Sequence, residues 1–181
     1  MRFIFVTVLL STFLKLHAQT DNRLEFTSVV ELSGFSKDAL YNSGRQFVTR
    51  AFVNMKDVTQ VADKESGELT VKGLMYFPYR FKYMGSREVK MRCRFRFSLY
   101  VKDGKYKYEI ADFADVYNTA ANQMTFDYLT TDTVCYKKIW GVRQEKMDEM
   151  YASCKEGLTE EVNGFIAQLK KAMATKASND F

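Results

Sequence analysis

The sequence predicts an α+β domain in which an antiparallel sheet packs against an N-terminal helix and a long C-terminal helix. Three patterns carry this prediction. Apolar and polar residues alternate without a break from Glu88 to Lys102, a period of two that is typical of a half-buried strand. Asp103 and Gly104 then separate two strand-like runs, as in a two-residue hairpin. Beyond Gly141, apolar residues recur at three- and four-residue steps, which indicates a long amphipathic helix.

The elements before the hairpin follow from local signals. Arg23 to Leu32 is rich in β-branched and aromatic residues and predicts a first strand. Ser36 is suited to cap a helix over Lys37 to Val53. A short strand is predicted over Val58 to Asp63, and Glu68 to Lys82 resumes extended structure. Because a proline cannot donate a hydrogen bond to its neighbour, Pro78 places this second strand at an edge or at a bend.

The hairpin turn also predicts the register of the strands that it joins. It sets three apolar pairs on one face: Val101 with Tyr106, Leu99 with Tyr108, and Phe97 with Ile110. The same register would place Asp112 opposite Phe95 on the apolar face, and Phe113 outside. Either a bulge near Ala111 restores the pattern, or Asp112 is a partly buried carboxylate. For Asp112 together with Asp115, a bulge and a salt bridge to Arg92 are the expected structural roles. Residues 118–140 show no clear pattern beyond a short extended stretch at 133–139.

Residues 1–18 have the pattern of a secretory signal peptide. Arg2 supplies a positive start, and the apolar run from Phe3 to Leu14 is shorter than the roughly 20 residues of a membrane span. Ala18 before Gln19 is a suitable cleavage site. We therefore expect a periplasmic or secreted protein with one domain at 19–175, no transmembrane segment in the mature chain, and a flexible tail at 176–181. An uncleaved anchor is the alternative.

Composition excludes most familiar catalytic and metal sites. His17 is the only histidine, and it would leave with the signal peptide. A mature chain without histidine cannot form a Ser-His-Asp triad, a Cys-His pair or a histidine-ligated zinc site. The three cysteines, Cys93, Cys135 and Cys154, allow one internal disulfide at most and match no metal-binding spacing. We therefore expect no enzymatic activity, no metal and no cofactor.

Three segments carry a family resemblance. They are Leu32 to Ser36 before the first helix, Gly67 to Gly73 after the first hairpin, and Val101 to Phe113 around the second. With the order of elements, they resemble domain of unknown function 4468, a bacterial envelope family with a TATA-binding-protein-like (TBP-like) fold, over residues 24–116. The resemblance implies a β-α-β(4)-α order and supplies no catalytic residues. The plan is also similar to helix-grip domains, in which a curved sheet wraps a long helix around an apolar cavity.

The first functional hypothesis is a small apolar or lipid-like ligand held between the sheet and the C-terminal helix. Methionine and aromatic side chains suit such a pocket. The candidate lining residues are Met75, Phe77, Phe95, Phe97, Leu99, Tyr108, Met150 and Phe165. The alternative is that the same side chains simply fill the core.

The second hypothesis places a protein partner or an anionic polymer on the basic outer face of the sheet, at Lys72, Arg92, Arg94 and Arg96. Solvated strand faces also carry such charges without binding anything. A nucleic acid is not expected, because the signal peptide directs the chain away from the genome. A hydrolase using Asp112 and Asp115 as acid and base is the least supported function.

Overall fold

A computed structural model describes residues 22–52, 59–82, 86–119, 123–132, 134 and 141–175. The described elements, in chain order, are β1 (Phe26–Glu31), α1 (Lys37–Ala51), β2 (Thr59–Asp63), β3 (Glu68–Lys82), β4 (Ser86–Lys102), β5 (Lys105–Asn118), β6 (Gln123–Tyr128) and α2 (Gln144–Ala174). This is the predicted α+β class. The predicted signal peptide at 1–18 and tail at 176–181, and nearly all of the stretch at 133–139, lie outside the described residues.

All six strands belong to one antiparallel sheet with the order β1-β5-β4-β3-β2. Strand β4 pairs along the length of β5 on one side. On the other side, β1 pairs with residues 105–110 of β5 and β6 pairs with residues 114–118. The sequence predicted four strands after the first helix, and that number is wrong, because β6 is a fifth.

The hairpin between β4 and β5 has the predicted register. All three apolar pairs are present, with Val101 opposite Tyr106 at the turn. Gly104 has a φ of 73°, a left-handed conformation that glycine adopts without steric cost. The turn also packs beside α1, because the Asp103 carboxylate accepts a hydrogen bond of 2.7 Å from the backbone N–H of Lys37. Turn chemistry therefore fixes both the strand pairing and the start of α1.

Two bulges interrupt β5 beyond this register. Ala111 faces Arg96 and Ala114 faces Arg94, so Asp112 and Phe113 together oppose a single residue of β4. Asp112 has a φ of 57°, and Asp115 repeats the conformation with a φ of 50°. Phe113 is consequently 1% exposed. The bulge predicted near Ala111 is confirmed, and Asp112 lies on the outer face.

Both helices pack on the inner face of the sheet. The hydroxyl of Ser36 accepts a hydrogen bond of 3.2 Å from the N–H of Ala39, so Ser36 is the predicted N-cap of α1. Helix α2 lies against β3 and α1. Pro78 lies where β3 pairs with β4, while β2 pairs only with residues 68–71. In the described residues, Pro78 is therefore at the predicted edge position. Neither described helix has a stretch both long and apolar enough to cross a lipid bilayer.

Candidate functional site

The residues predicted to hold an apolar ligand lie in the core. The six sheet residues of that set are between 0 and 6% exposed, and Met150 and Phe165 of α2 are partly buried against them. The ring of Phe165 lies edge-on to four phenylalanine rings, with centroid distances from 5.0 Å to 6.4 Å, those of Phe47, Phe52, Phe95 and Phe97. These side chains contact one another, as the filled-core alternative requires.

A groove opens at β3, β4 and β5, and most of its lining side chains belong to the outer face of the sheet, which is the face away from the helices. Its volume is about 750 Å³, within the range of about 300 to 1,000 Å³ typical of small-molecule sites. It reaches the C-terminal end of α1, and we call it the outer-face groove. Its lining residues are Arg23, Ala51, Phe52, Lys72, Gly73, Leu74, Tyr76, Arg94, Phe95, Arg96, Asp112, Ala114 and Tyr128. Of the eight predicted apolar-ligand residues, only Phe95 is among them.

The bulge at Asp112 brings this carboxylate between two arginines. Nε of Arg96 donates a hydrogen bond of 2.7 Å to Asp112, and a guanidinium nitrogen of Arg23 lies 3.6 Å from the other carboxylate oxygen. Arg96 also donates to the Ser98 hydroxyl at 3.0 Å and lies 3.8 Å from Glu109. The hydrogen bond that Arg96 donates to the Asp112 carboxylate raises the pKa of Arg96 above its ordinary value. Arg96 is therefore a fixed, permanently charged part of the groove wall.

The other predicted partner-binding residues have different environments. Arg94 forms an ion pair with Asp115, at the second bulge. Arg92 lies outside the groove, with its guanidinium 4.6 Å from the centroid of the Tyr117 ring. The prediction of a salt bridge to Arg92 is wrong. The two bulges shift β5 so that Tyr117 faces Arg92, and the two aspartates pair with Arg96 and Arg94 instead.

Lys72 is the groove cation without a described counter-charge. It is exposed, and no ion pair to it is found within the described ranges. In the register of β3 and β4, it lies directly opposite Arg96. Two like charges in this position repel each other.

Arg23 and Tyr128 are groove residues that the sequence did not predict. The guanidinium of Arg23 lies 4.8 Å from the centroid of the Tyr128 ring. Arg23 forms an isolated bridge with Thr130, just beyond β6. Without β6, no sequence pattern connects residue 23 with residue 128, whereas the alternation of β3 and β4 did identify Lys72, Arg94 and Arg96.

Two of the three cysteines are described, and both are buried, Cys93 on β4 and Cys154 on α2. Cys135 lies outside the described residues. Burial raises the pKa of the Cys93 thiol to about 12, because an apolar environment disfavours the thiolate. In the described structure, Cys93 is therefore an apolar core residue.

We expect the folded protein to lose stability as the pH rises from 9 towards 12. Above pH 9 the unfolded chain releases the Cys93 proton, whereas the folded chain retains it up to about pH 12. Deprotonation of this one group therefore lowers the free energy of unfolding by about 1 kcal/mol for each pH unit in this range. Urea-unfolding midpoints at a series of pH values measure the effect, and the variant Cys93→Ala should show a shallower decline. Equal slopes for the two proteins would contradict the prediction.

Comparison with known proteins places these features in a family context. A family model described as a domain of unknown function (DUF4468) with TBP-like fold matches residues 26–115. No curated protein is detectably similar to the chain in sequence. Within the described ranges, no three His, Cys, Asp or Glu residues lie in a group that could hold a metal ion.

Two crystal structures show the same fold. A TBP-like protein from Parabacteroides distasonis has a TM-score of 0.63 at 12% sequence identity, with 86% of this chain and 96% of that protein covered. A DUF4468 family protein from Bacteroides ovatus has a TM-score of 0.61 at 10% identity, with 89% and 92% covered. At these identities the likeness concerns the fold.

Proposed function

Since residues 26–115 belong to the DUF4468 family with a TBP-like fold, a family whose function is unknown, we propose that the protein is a binding domain for an anionic ligand. The proposed binding site is the outer-face groove. One observation carries this proposal, namely that four cationic side chains and a single carboxylate line the groove. An excess of positive charge in a cleft attracts anions and raises their rate of association.

The environment of the carboxylates supports binding rather than catalysis. Asp112 and Asp115 are the pair that the sequence offered as acid and base. Each forms an ion pair with an arginine on the outer face. We therefore propose a non-enzymatic role that requires no cofactor.

The proposed location is the bacterial envelope, in the periplasm or outside the cell. The apolar run from Phe3 to Leu14, followed by Ala18, supports this location. A small apolar ligand between the sheet and α2 has less support, because Phe165 and its neighbours occupy that space with ring contacts of 5.0 to 6.4 Å.

Anion binding should weaken when charge is removed from the groove. We expect fluorescently labelled polyglutamate to bind the protein in low salt and to be released as ionic strength approaches about 0.15 M, where the Debye length is about 8 Å. The double variant Lys72→Gln/Arg94→Gln should bind about tenfold more weakly. Fluorescence anisotropy measures both effects. Arg96 is left unchanged because it anchors the bulge at Asp112.

The matched control is the double variant Lys102→Gln/Lys170→Gln. It removes the same charge from two exposed lysines, one at the end of β4 and one on α2, and neither lines the groove. Its affinity should stay close to that of the unmodified protein. An equal loss in the two double variants would show that polyglutamate senses net charge and not the groove, and the proposal would then fail.

A further inference from the structure

The apolar part of the outer-face groove lies beside its charged part. Leu74 and Tyr76 point outward from β3 and are 51% and 43% exposed. They follow Lys72 at the alternate positions of the same strand face. From Lys72 to Tyr76 the strand rises about 13 Å. A positive charge is thus followed along one strand by the exposed Leu74 side chain and by the Tyr76 ring, whose centroid lies 4.5 Å from the ammonium nitrogen of Lys90.

The wall of the groove near Gly73 is apolar as well. A Cβ at residue 73 would lie 2.3 Å from the ring of Phe52 and 3.3 Å from the ring of Phe95. These two rings stack with a centroid distance of 5.9 Å, and both line the groove. The missing side chain at Gly73 therefore makes room for these two rings on the inner face, where Phe52 is 8% and Phe95 3% exposed.

The groove cations alternate with the apolar residues across the β3–β4 pair, where Arg94 lies opposite Leu74, and among the described residues Lys72 is the cation without a counter-charge. Asp112 pairs with Arg96 and Arg23, and Asp115 pairs with Arg94. Lys72 faces Arg96 across the β3–β4 pair and adds a positive charge there. An anion beside Lys72 would offset this repulsion at little desolvation cost, because the lysine is exposed.

We propose that the outer-face groove binds a small amphiphilic carboxylate, with its carboxylate at Lys72 and its apolar chain along Leu74 towards Tyr76. This inference rests on the proposed function and specifies the chemical class of the ligand. The groove volume of about 750 Å³ fits a small molecule. The charge at Lys72 complements a single carboxylate, and the 13 Å length of strand fits a medium-length chain.

Isothermal titration calorimetry with octanoate tests this inference. Octanoate should bind the protein, while acetate, which lacks the chain, and octanol, which lacks the charge, should each bind about tenfold more weakly or not at all. Equal binding of octanol would overturn the role of the carboxylate. Equal binding of acetate would overturn the role of the apolar surface.

Three exposed-residue variants locate the bound ligand. Lys72→Ala should weaken octanoate binding about tenfold, since a hydrogen bond between charged groups is lost. Leu74→Ser should weaken it about fivefold through loss of apolar contact. Lys102→Ala, which removes an exposed charge at the far end of β4, should leave the affinity unchanged. An equal effect of Lys72→Ala and Lys102→Ala would overturn the proposed site.

The polyglutamate experiment separates this inference from the broader proposal. If polyglutamate binds at the groove and octanoate does not, the ligand is an acidic polymer or peptide. The amphiphile inference then fails and the anion-binding function stands. If neither probe binds, both fail.

Discussion

Replacing Gly157 with alanine is expected to destabilise the protein by about 3 kcal/mol, at the upper end of the usual cost of overpacking a core. A Cβ at this position would lie 1.8 Å from the carbonyl oxygen of Pro78 and 3.0 Å from its carbonyl carbon. Both are backbone atoms of a strand that pairs with β4. They cannot move aside as a flexible side chain could, so α2 would have to shift away from the sheet.

The helix is held at this close distance on both sides of Gly157. One turn earlier, the hydroxyl of Ser153 donates a hydrogen bond of 2.6 Å to the carbonyl oxygen of Arg80. One residue later, Leu158 is fully buried. A shift of α2 would therefore break a hydrogen bond and loosen apolar packing, in addition to relieving the clash.

Gly164 in the same helix provides the control. A Cβ built at this residue meets nothing within 4 Å. Gly164→Ala should therefore stabilise the protein by about 0.5 to 1 kcal/mol, because alanine is the better helix former. Urea unfolding followed by circular dichroism measures both variants. If Gly157→Ala were also stabilising, the close contact between α2 and β3 would be contradicted.

Features that depend on neighbouring residues in the chain were predictable. The turn at Asp103 and Gly104 determines the hairpin register, and Ser36 determines the start of α1. The bulge near Ala111 was also predictable, because the alternation of β5 would otherwise bury a charged Asp112 and expose Phe113. Here the cost of burying an unpaired charge decides the backbone conformation.

Features that depend on distant pairings were not predictable. Strand β6 is six residues long, too short for a clear alternation, and it is stabilised by pairing with β5. Arg23 and Tyr128 meet only because β6 ends near the segment before β1. The salt bridge predicted for Arg92 was wrong for a related reason, since the register beyond the bulges depends on how many residues each bulge inserts.

The alternation of apolar residues correctly indicated which side chains point inward, but it could not show whether they enclose a space. Cavity and core have the same pattern, because both need apolar residues on one face. The difference lies in the distances between side chains of separate elements. Phe165 of α2, which the sequence placed as a possible ligand contact, lies with its ring 5.0 Å from Phe47 and 5.4 Å from Phe97.

Truncating Phe165 to alanine therefore tests the filled core directly. We expect Phe165→Ala to lower the free energy of unfolding by about 3 kcal/mol, because four aromatic neighbours lose their contact and a cavity remains. Phe165→Leu, which keeps most of the volume, should cost about 1 kcal/mol. Urea unfolding of the two variants measures the difference between them.

The same variant distinguishes a filled core from a ligand pocket. If Phe165 lined an open pocket, its removal would merely enlarge a space that already exists, and stability in the absence of ligand would change little. A filled core instead predicts that a new apolar cavity forms in Phe165→Ala. Such a cavity should bind benzene and regain stability in its presence, whereas the unmodified protein should not respond. If benzene stabilised the unmodified protein as much as the variant, the result would contradict the filled core. The apolar site between sheet and helix would then be favoured over the outer-face groove as the binding site.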